Sequence, residues 1–115
     1  AARALGLAGA EYVFVPTATT TRGFSRSVWE PELRGHAIAN GLWVIGVNRV
    51  GVELESTYYG ASVMVDPIGA IHAQAGDSEE VLVADLPRER VEEVRKMWPF
   101  YRDRRPDAYA SLVNP

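Results

Sequence analysis

Two short apolar runs constrain the fold of this chain more than any other feature of its sequence. One extends from Tyr12 to Val15 and the other from Leu42 to Val47, and both are of strand length, uncharged and rich in β-branched and aromatic residues. A strand that is apolar on both faces needs cover on both sides of its sheet, which is typical of sheets layered with helices. The sequence therefore predicts an α/β fold with a largely buried sheet.

Three segments carry helical patterns. The first extends from Ala1 to Gly9, with no capping residue ahead of it, so we expect this helix to be interrupted at Ala1. The second lies around Val28 to Asn40, with Gly41 just past its end as a C-terminal stop. The third, Pro87 to Met97, is amphipathic and strongly charged. These helices supply cover for the predicted sheet.

Three further strands are predicted after the two apolar runs. We expect a strand from Tyr58 to Val65, a turn at Asp66 to Gly69 whose glycine has positive φ, and a hairpin partner from Ala70 to Ala75. A final strand is predicted at Val81 to Asp85. Val52 to Ser56 is a polar, acidic excursion. Five short strands and three helices are too few to cover both faces of a sheet, so we expect absent sequence or another chain to supply the missing layer.

The end of the chain, residues 98–115, is an irregular segment rich in aromatic residues and arginine and broken by proline. Such side chains are enriched at protein interfaces, and this segment is expected to lie at one. An incomplete sandwich also exposes more apolar surface than a monomer normally carries. We therefore expect a homo-oligomer.

Charge and cysteine content exclude several classes of protein. The net charge is −3, and the basic residues, of which only Lys96 is lysine, are interleaved with acidic ones, so no nucleic-acid footprint is present. The longest uncharged stretch, Gly35 to Asn48, falls short of the roughly 20 apolar residues of a membrane span. The sequence has 0 cysteines, which excludes disulfides, thiolate metal sites and a cysteine nucleophile within it. This composition is consistent with a cytoplasmic protein.

The familiar catalytic patterns are missing. His36 and His72 have no spacing to each other or to carboxylates that favours a metal site, and structural roles are favoured for both. Ser25, Ser27 and Ser62 lack the context of a nucleophile elbow. No strand-to-helix glycine motif for phosphate is present. We expect no metal and no cofactor.

The residues that follow the two apolar runs remain as candidates, through their backbone amides or polar side chains. Thr17 and Ala18 follow the first run, and Asn48 and Arg49 follow the second. Layered α/β folds usually bind ligands at strand ends, so these positions are candidates for a pocket. The alternative is that Pro16 and Asn48 are only turn-forming residues, and sequence patterns leave both interpretations open.

A series of motifs in a fixed order carries a resemblance. It includes Val15-Pro16-Thr17-Ala18, Arg34-Gly35-His36-Ala37-Ile38-Ala39-Asn40-Gly41, Asn48-Arg49-Val50-Gly51, Asp66-Pro67-Ile68-Gly69 and Arg102-Asp103-Arg104-Arg105-Pro106. Across nearly the whole chain this series resembles the second half of a carbon–nitrogen hydrolase of the nitrilase superfamily. The third and fifth motifs resemble the branch of N-carbamoylputrescine amidases and β-ureidopropionases.

The resemblance implies that residues 1–115 are the C-terminal part of a single hydrolase domain. The implied fold is α/β, the C-terminal half of a nitrilase-like four-layer αββα sandwich that dimerises with its sheets and helices stacked across the interface. Family members use a Glu-Lys-Cys triad in which the cysteine forms a thioester that water then hydrolyses. None of the three is carried here, because Lys96, Glu11 and Glu53 match no catalytic position. We therefore expect no hydrolysis by this chain alone.

The resemblance also implies a function and a pocket. With its missing half, the chain is expected to cleave an amide, an N-carbamoyl amine or a nitrile and release ammonia. The alternative is an inert truncated product that acts only as an assembly module. Glu53 is a candidate partner for a cationic substrate end, with a solvated loop carboxylate as the alternative. The implied substrate-binding residues are Thr17, Ala18, Trp29, Asn48, Glu53 and Tyr59.

Overall fold

The computed structural model describes residues 1–113. The helices are α1 (Ala2–Leu7), α2 (Ser25–Asn40), α3 (Glu89–Met97) and α4 (Ala110–Val113), with a 3₁₀ turn at Pro106–Ala108. The strands are β1 (Tyr12–Thr17), β2 (Trp43–Asn48), β3 (Val50–Glu53), β4 (Ser56–Tyr59), β5 (Val63–Val65) and β6 (Ile71–Gln74). Both apolar runs are strands, which confirms the central expectation from the sequence. Within residues 1–113, no helix combines the length and apolar character that crossing a bilayer requires.

The main sheet has the strand order β1-β2-β5-β6. Strands β1 and β2 are parallel, in a register that pairs Tyr12 with Trp43 and Thr17 with Asn48, and the other pairs are antiparallel. Strands β3 and β4 form a separate antiparallel hairpin. Thr17 and Asn48 are the last residues of β1 and β2, and this register places them side by side.

Helix α2 covers one face of this sheet. Trp29, Leu33 and Ala37 of the helix are buried against Val44 of β2 and the strands beside it. The close approach depends on Gly46, where a Cβ would lie 2.5 Å from Leu33 Cδ1. A larger residue at this position would separate the helix from the sheet, since protein interiors are close-packed.

The opposite face is covered at one end only. Trp43 and Ile45 are buried there with Val91 of α3, and Trp43 Nε1 donates a hydrogen bond of 3.1 Å to the carbonyl of Pro87. Farther along the same face, Phe14 is 67% exposed and Val47 47% exposed. The sequence-based expectation of a sheet with incomplete cover agrees with this arrangement.

Two predicted strands differ from the structure. Val81 to Asp85 form no strand: exposed and partly buried residues alternate, but no strand among residues 1–113 forms a ladder with this segment. The predicted strand from Tyr58 to Val65 is divided into β4 and β5. Gly60, with φ of 62°, and Ala61, with φ of 55°, form a left-handed turn between them. Extended pairing cannot continue through two successive left-handed residues. The predicted turn at Asp66 to Gly69 is confirmed, with Gly69 at φ of 82°.

The aromatic and arginine-rich tail is anchored at Tyr101. Its hydroxyl donates a hydrogen bond of 2.7 Å to the carbonyl of Asn40, at the end of α2. The guanidinium groups of Arg3 and Arg95 each lie 5.0 Å from the centre of the Tyr101 ring, a cation–π distance. The tail therefore packs on α2 through this tyrosine. The predicted interface role of residues 98–115 stays a prediction.

Candidate substrate site

The side-chain amide of Asn48 joins three segments at the carboxyl end of the parallel strands. Its Oδ1 accepts hydrogen bonds from Thr17 Oγ1 at 3.1 Å and from the Thr19 backbone N–H at 2.8 Å. Its Nδ2 donates to the carbonyl of Gly60 at 2.9 Å and to that of Thr19 at 3.4 Å. Asn48 is 6% exposed. The residue therefore fastens the loop after β1 to the left-handed turn after β4.

The hydroxyl of Tyr59 extends this polar cluster. It accepts a hydrogen bond of 2.8 Å from Thr19 Oγ1 and lies 3.1 Å from Ser25 Oγ in the first turn of α2. The Tyr59 side chain is buried, and the Arg26 guanidinium lies 5.4 Å from the centre of its ring. Through Tyr59, the loop after β1, the start of α2 and strand β4 are held at one place.

Trp29 lies behind the cluster and holds the same turn. The indole is 6% exposed, and its Nε1 donates a hydrogen bond of 2.8 Å to the carbonyl of Ala61. Its six-membered ring lies beside Gly46, where a Cβ would be 2.8 Å from the indole Cζ2. Trp29 thus occupies the interface between helix and sheet, and the single N–H of its side chain is hydrogen-bonded within the protein.

The structure places Glu53 and Ala18 apart from this network. Glu53 lies on the β3–β4 hairpin and forms an ion pair with Arg49, and both side chains are about half exposed. The Arg49 guanidinium also lies 4.6 Å from the centre of the Tyr58 ring. Ala18 is exposed in the loop after β1. Any cation that binds to Glu53 must therefore compete with Arg49.

A cavity of about 450 Å³ opens beside the cluster, between α1, β1 and α2. Thr17, Thr19, Ser25 and Trp29 border it, and its walls are mostly apolar. Pockets of this size, apolar with a few polar groups, are typical small-molecule sites. A second cavity of about 600 Å³ follows the incompletely covered face and includes Asn48 in its border. Of the predicted site residues, Thr17 and Trp29 border the first cavity.

Sequence reasoning missed three hydroxyl groups of the cluster as site residues. Thr19, Ser25 and Ser62 take part in it, and Ser62 Oγ accepts a hydrogen bond of 2.9 Å from the Asn48 backbone N–H. The only available signal was the position of Thr19 in a loop that directly follows a buried strand. Residues 1–113 bring together no set of three metal-ligating side chains.

Comparison with known proteins is consistent with this geometry. Residues 1–96 match the family described as Carbon-nitrogen hydrolase. The N-carbamoylputrescine amidase of Solanum tuberosum is 42% identical over an alignment of 127 positions, and the alignment covers 98% of this chain and 42% of the relative. The chain thus spans less than half the length of that relative.

Solved structures agree. The carbon-nitrogen hydrolase from Helicobacter pylori G27 superposes with a TM-score of 0.89 at 42% identity, over 98% of this chain and 44% of that one. An amidase mutant from Nesterenkonia sp. AN1, at 30% identity and a TM-score of 0.77, matches 96% of this chain and 38% of that one. That amidase carries the acetamide moiety of fluoroacetamide covalently on its active-site cysteine. The fold of the chain is therefore that of part of a nitrilase-superfamily domain.

Proposed function

The chain belongs to the carbon–nitrogen hydrolase family, and from this membership we propose that it forms part of an enzyme that hydrolyses an N-carbamoyl amine or a related small amide with release of ammonia. The observation that carries the proposal is the 42% identity with an N-carbamoylputrescine amidase over 98% of the chain. A polar cluster at the strand ends, beside an apolar cavity, supports it.

The proposed chemistry needs a nucleophile from outside these residues, because the sequence contains 0 cysteines. In the proposed reaction a cysteine thiolate attacks the carbonyl carbon, and ammonia leaves as the tetrahedral intermediate collapses. Water then hydrolyses the remaining bond between sulfur and carbonyl carbon, which belongs to a thioester for an amide substrate and to a thiocarbamate for an N-carbamoyl amine. A glutamate acts as general base and acid, and a lysine stabilises the negative oxygen of the intermediate. All three groups would be supplied by the part of the enzyme that this chain lacks.

This chain would contribute part of the substrate pocket. Thr17 Oγ1 uses its hydrogen in the bond to Asn48, which leaves oxygen lone pairs available to accept an N–H of a carbamoyl or amide group. The apolar cavity walls, which include Val13, Val15 and Leu33, suit the methylene groups of an aliphatic amine. Glu53 remains our proposed partner for a cationic substrate end, in exchange with Arg49.

A second candidate function is that of an inert assembly module. The exposed apolar side chains of Phe14, Val47, Val81 and Val83 favour this alternative, since large exposed apolar surfaces mark sites of interaction with a partner. Under both proposals we expect a homo-oligomer. We also propose that the protein is cytoplasmic, because thiols such as the cysteine nucleophile of the first proposal are kept reduced there.

The two candidates are separated by a chimera, in which this chain replaces the matching segment of the Solanum tuberosum relative. Ammonia release is measured with an N-carbamoyl amine, a simple aliphatic amide and a nitrile, and the 115-residue chain alone is the control. We expect release by the chimera, fastest with the N-carbamoyl amine, and none by the chain alone. A folded chimera that is inert toward all three substrates would favour the assembly module.

A further inference from the structure

The hydrogen-bonding capacity of the Asn48 side chain is fully used inside the protein. An asparagine amide has two donor hydrogens and two acceptor lone pairs. Two donors, Thr17 Oγ1 and the Thr19 N–H, bind Oδ1, and two carbonyls, of Gly60 and Thr19, accept from Nδ2. With 6% of the residue exposed, no group of this amide is left for a ligand.

We propose that Asn48 is a positioning residue, which holds the loop of Thr17 to Thr19 at the substrate pocket without touching the substrate. The inference rests on the proposed function for its kinetic consequence, but the geometry that carries it is independent of that function. Thr17 and Thr19 border the 450 Å³ cavity, and Asn48 does not. The effect of Asn48 on a substrate in that cavity would therefore pass through the two threonines.

Asn48 also connects this loop to a strained turn. Gly60 and Ala61 both have left-handed backbone conformations, with φ of 62° and 55°. A left-handed conformation costs an L-residue such as alanine about 1–2 kcal/mol, and it persists only where neighbouring groups enforce it. The side chain of Asn48 binds the carbonyl of Gly60, and that of Trp29 binds the carbonyl of Ala61. The turn and the loop after β1 are thereby coupled through one amide.

The substitution Asn48→Asp distinguishes positioning from direct binding. Aspartate keeps the shape and the acceptor for Thr17 and Thr19, but it has no donor for the carbonyls of Gly60 and Thr19 and it adds a negative charge. If Asn48 contacted the substrate, that charge would favour substrates with a cationic end over neutral ones. If it only positions the loop, substrates of both charges are affected equally.

The kinetic test uses the chimera described above, with Asn40→Asp as matched control. Asn40 is also buried, at 4% exposure, and its Nδ2 donates to the carbonyl of His36, near the opposite end of α2. We expect Asn48→Asp to lower kcat about 30-fold or more for both a cationic and a neutral N-carbamoyl amine, since small misplacements in a site cost up to about 100-fold. The ratio of their kcat/KM values stays within about threefold, and Asn40→Asp changes kcat by less than about threefold.

Two kinetic outcomes would overturn the inference. One is a kcat of the Asn48→Asp chimera equal to that of the unsubstituted chimera. The other is a ratio of kcat/KM values that shifts about tenfold or more toward the cationic substrate, because a shift of that size corresponds to a direct contact of about 1.4 kcal/mol.

A second measurement does not depend on catalysis. Amide hydrogen exchange of Thr19 is followed by NMR in the 115-residue chain with Asn48→Ala, Asn48→Asp and Asn40→Ala. We expect exchange about tenfold faster in Asn48→Ala, which lacks both the acceptor for the Thr19 N–H and the donor to the Thr19 carbonyl. A smaller increase is expected in Asn48→Asp, which lacks only the donor, and near-unchanged exchange in Asn40→Ala. Unchanged Thr19 exchange in Asn48→Ala would refute positioning. If Asn48→Ala does not fold, the same measurement is made on Asn48→Leu, which also lacks an acceptor for the Thr19 N–H, with the same expected and contradicting results. An inert unsubstituted chimera would refute the proposed function alone.

Discussion

Thr17 and Asn48 end two neighbouring parallel strands, and their side chains are joined by a hydrogen bond of 3.1 Å from the threonine hydroxyl to the asparagine Oδ1. The parallel register of β1 and β2 brings the two residues together although 31 positions separate them in the chain. Thr17 keeps free lone pairs at the border of the cavity, whereas Asn48 has none to offer. This difference separates a proposed substrate contact from a positioning residue.

We predict that Thr17→Val lowers kcat/KM of the chimera about 10- to 100-fold and costs about 0.5–1.5 kcal/mol of stability, because the hydrogen bond to Asn48 Oδ1 is lost with the hydroxyl. Valine has nearly the shape of threonine and is compatible with a strand, but it removes the hydroxyl that the substrate would meet. Steady-state ammonia release measures the effect, and Thr17→Ser, which keeps a hydroxyl, is the control. Equal activity of the valine variant and the unsubstituted chimera would rule out a contact at Thr17.

The left-handed turn at Gly60 leads to a prediction about stability. An alanine Cβ at Gly60 would lie 2.6 Å from the Gly76 carbonyl oxygen, on a backbone with φ of 62°. Gly23 has φ of 61°, and a Cβ there meets nothing within 4 Å. We expect Gly23→Ala to cost about 1–2 kcal/mol from the conformation alone. Gly60→Ala should cost roughly 1–3 kcal/mol more because of overpacking. Urea unfolding compares the two, and equal losses would show that the turn is loosely packed.

Gly46 and Gly35 form a second matched pair. A Cβ at Gly46 would lie 2.5 Å from Leu33 Cδ1, whereas one at Gly35 in α2 meets nothing within 4 Å. Gly46→Ala should therefore reduce the free energy of unfolding by roughly 1–3 kcal/mol. Gly35→Ala should raise it by roughly 0.5–1 kcal/mol, since alanine is the better helix former. Thermal unfolding followed by circular dichroism measures both, and a stabilising Gly46→Ala would refute the close approach of helix and sheet.

The tail contains a pair whose titration can be followed directly. The Arg105 guanidinium donates a hydrogen bond of 3.0 Å to Asp107 and lowers the pKa of that carboxyl below its ordinary value. A carboxyl whose pKa is lowered by folding contributes stability above its unfolded pKa and loses that contribution as pH falls through the folded value. We expect Arg105→Gln to raise the pKa of Asp107 toward the ordinary value. Because the pair is exposed, the midpoint of thermal unfolding at neutral pH should not change measurably. An NMR titration in which the Asp107 pKa does not move would contradict the assigned cause.

Much of the fold could be predicted from local sequence patterns. The runs Tyr12 to Val15 and Leu42 to Val47 form the parallel pair of the main sheet, and the turn at Asp66 to Gly69 forms with its glycine at positive φ. The turn depends on interactions between residues that are close in sequence. The two strands depend on burial of their apolar side chains, which every sheet covered by helices provides. Val81 to Asp85 has an equally regular pattern, but a strand forms only beside a partner strand. No strand among residues 1–113 pairs with this segment.

The site could be predicted only in part, because most of its contacts link distant segments. The sequence indicates Thr17 and Asn48 as pocket candidates because each follows an apolar run, and the structure joins their side chains through the parallel register of β1 and β2. The internal use of the Asn48 amide depends on the turn at Gly60 and Ala61, and an alanine at positive φ carries no signal in the sequence. Ser25 and Tyr59 lie 34 positions apart, and the fold alone brings their hydroxyl groups together. The proposed roles of Ala18, Trp29, Glu53 and Tyr59 toward a substrate stay predictions.

The central claim is that this chain supplies a working part of a hydrolase for N-carbamoyl amines. Its most direct test is kcat/KM for ammonia release from N-carbamoylputrescine by the chimera, beside the unaltered Solanum tuberosum amidase under the same conditions. We predict a kcat/KM within about 100-fold of that amidase, equivalent to a loss of no more than about 2.7 kcal/mol in transition-state binding. A folded chimera that releases no ammonia from N-carbamoylputrescine would contradict the claim.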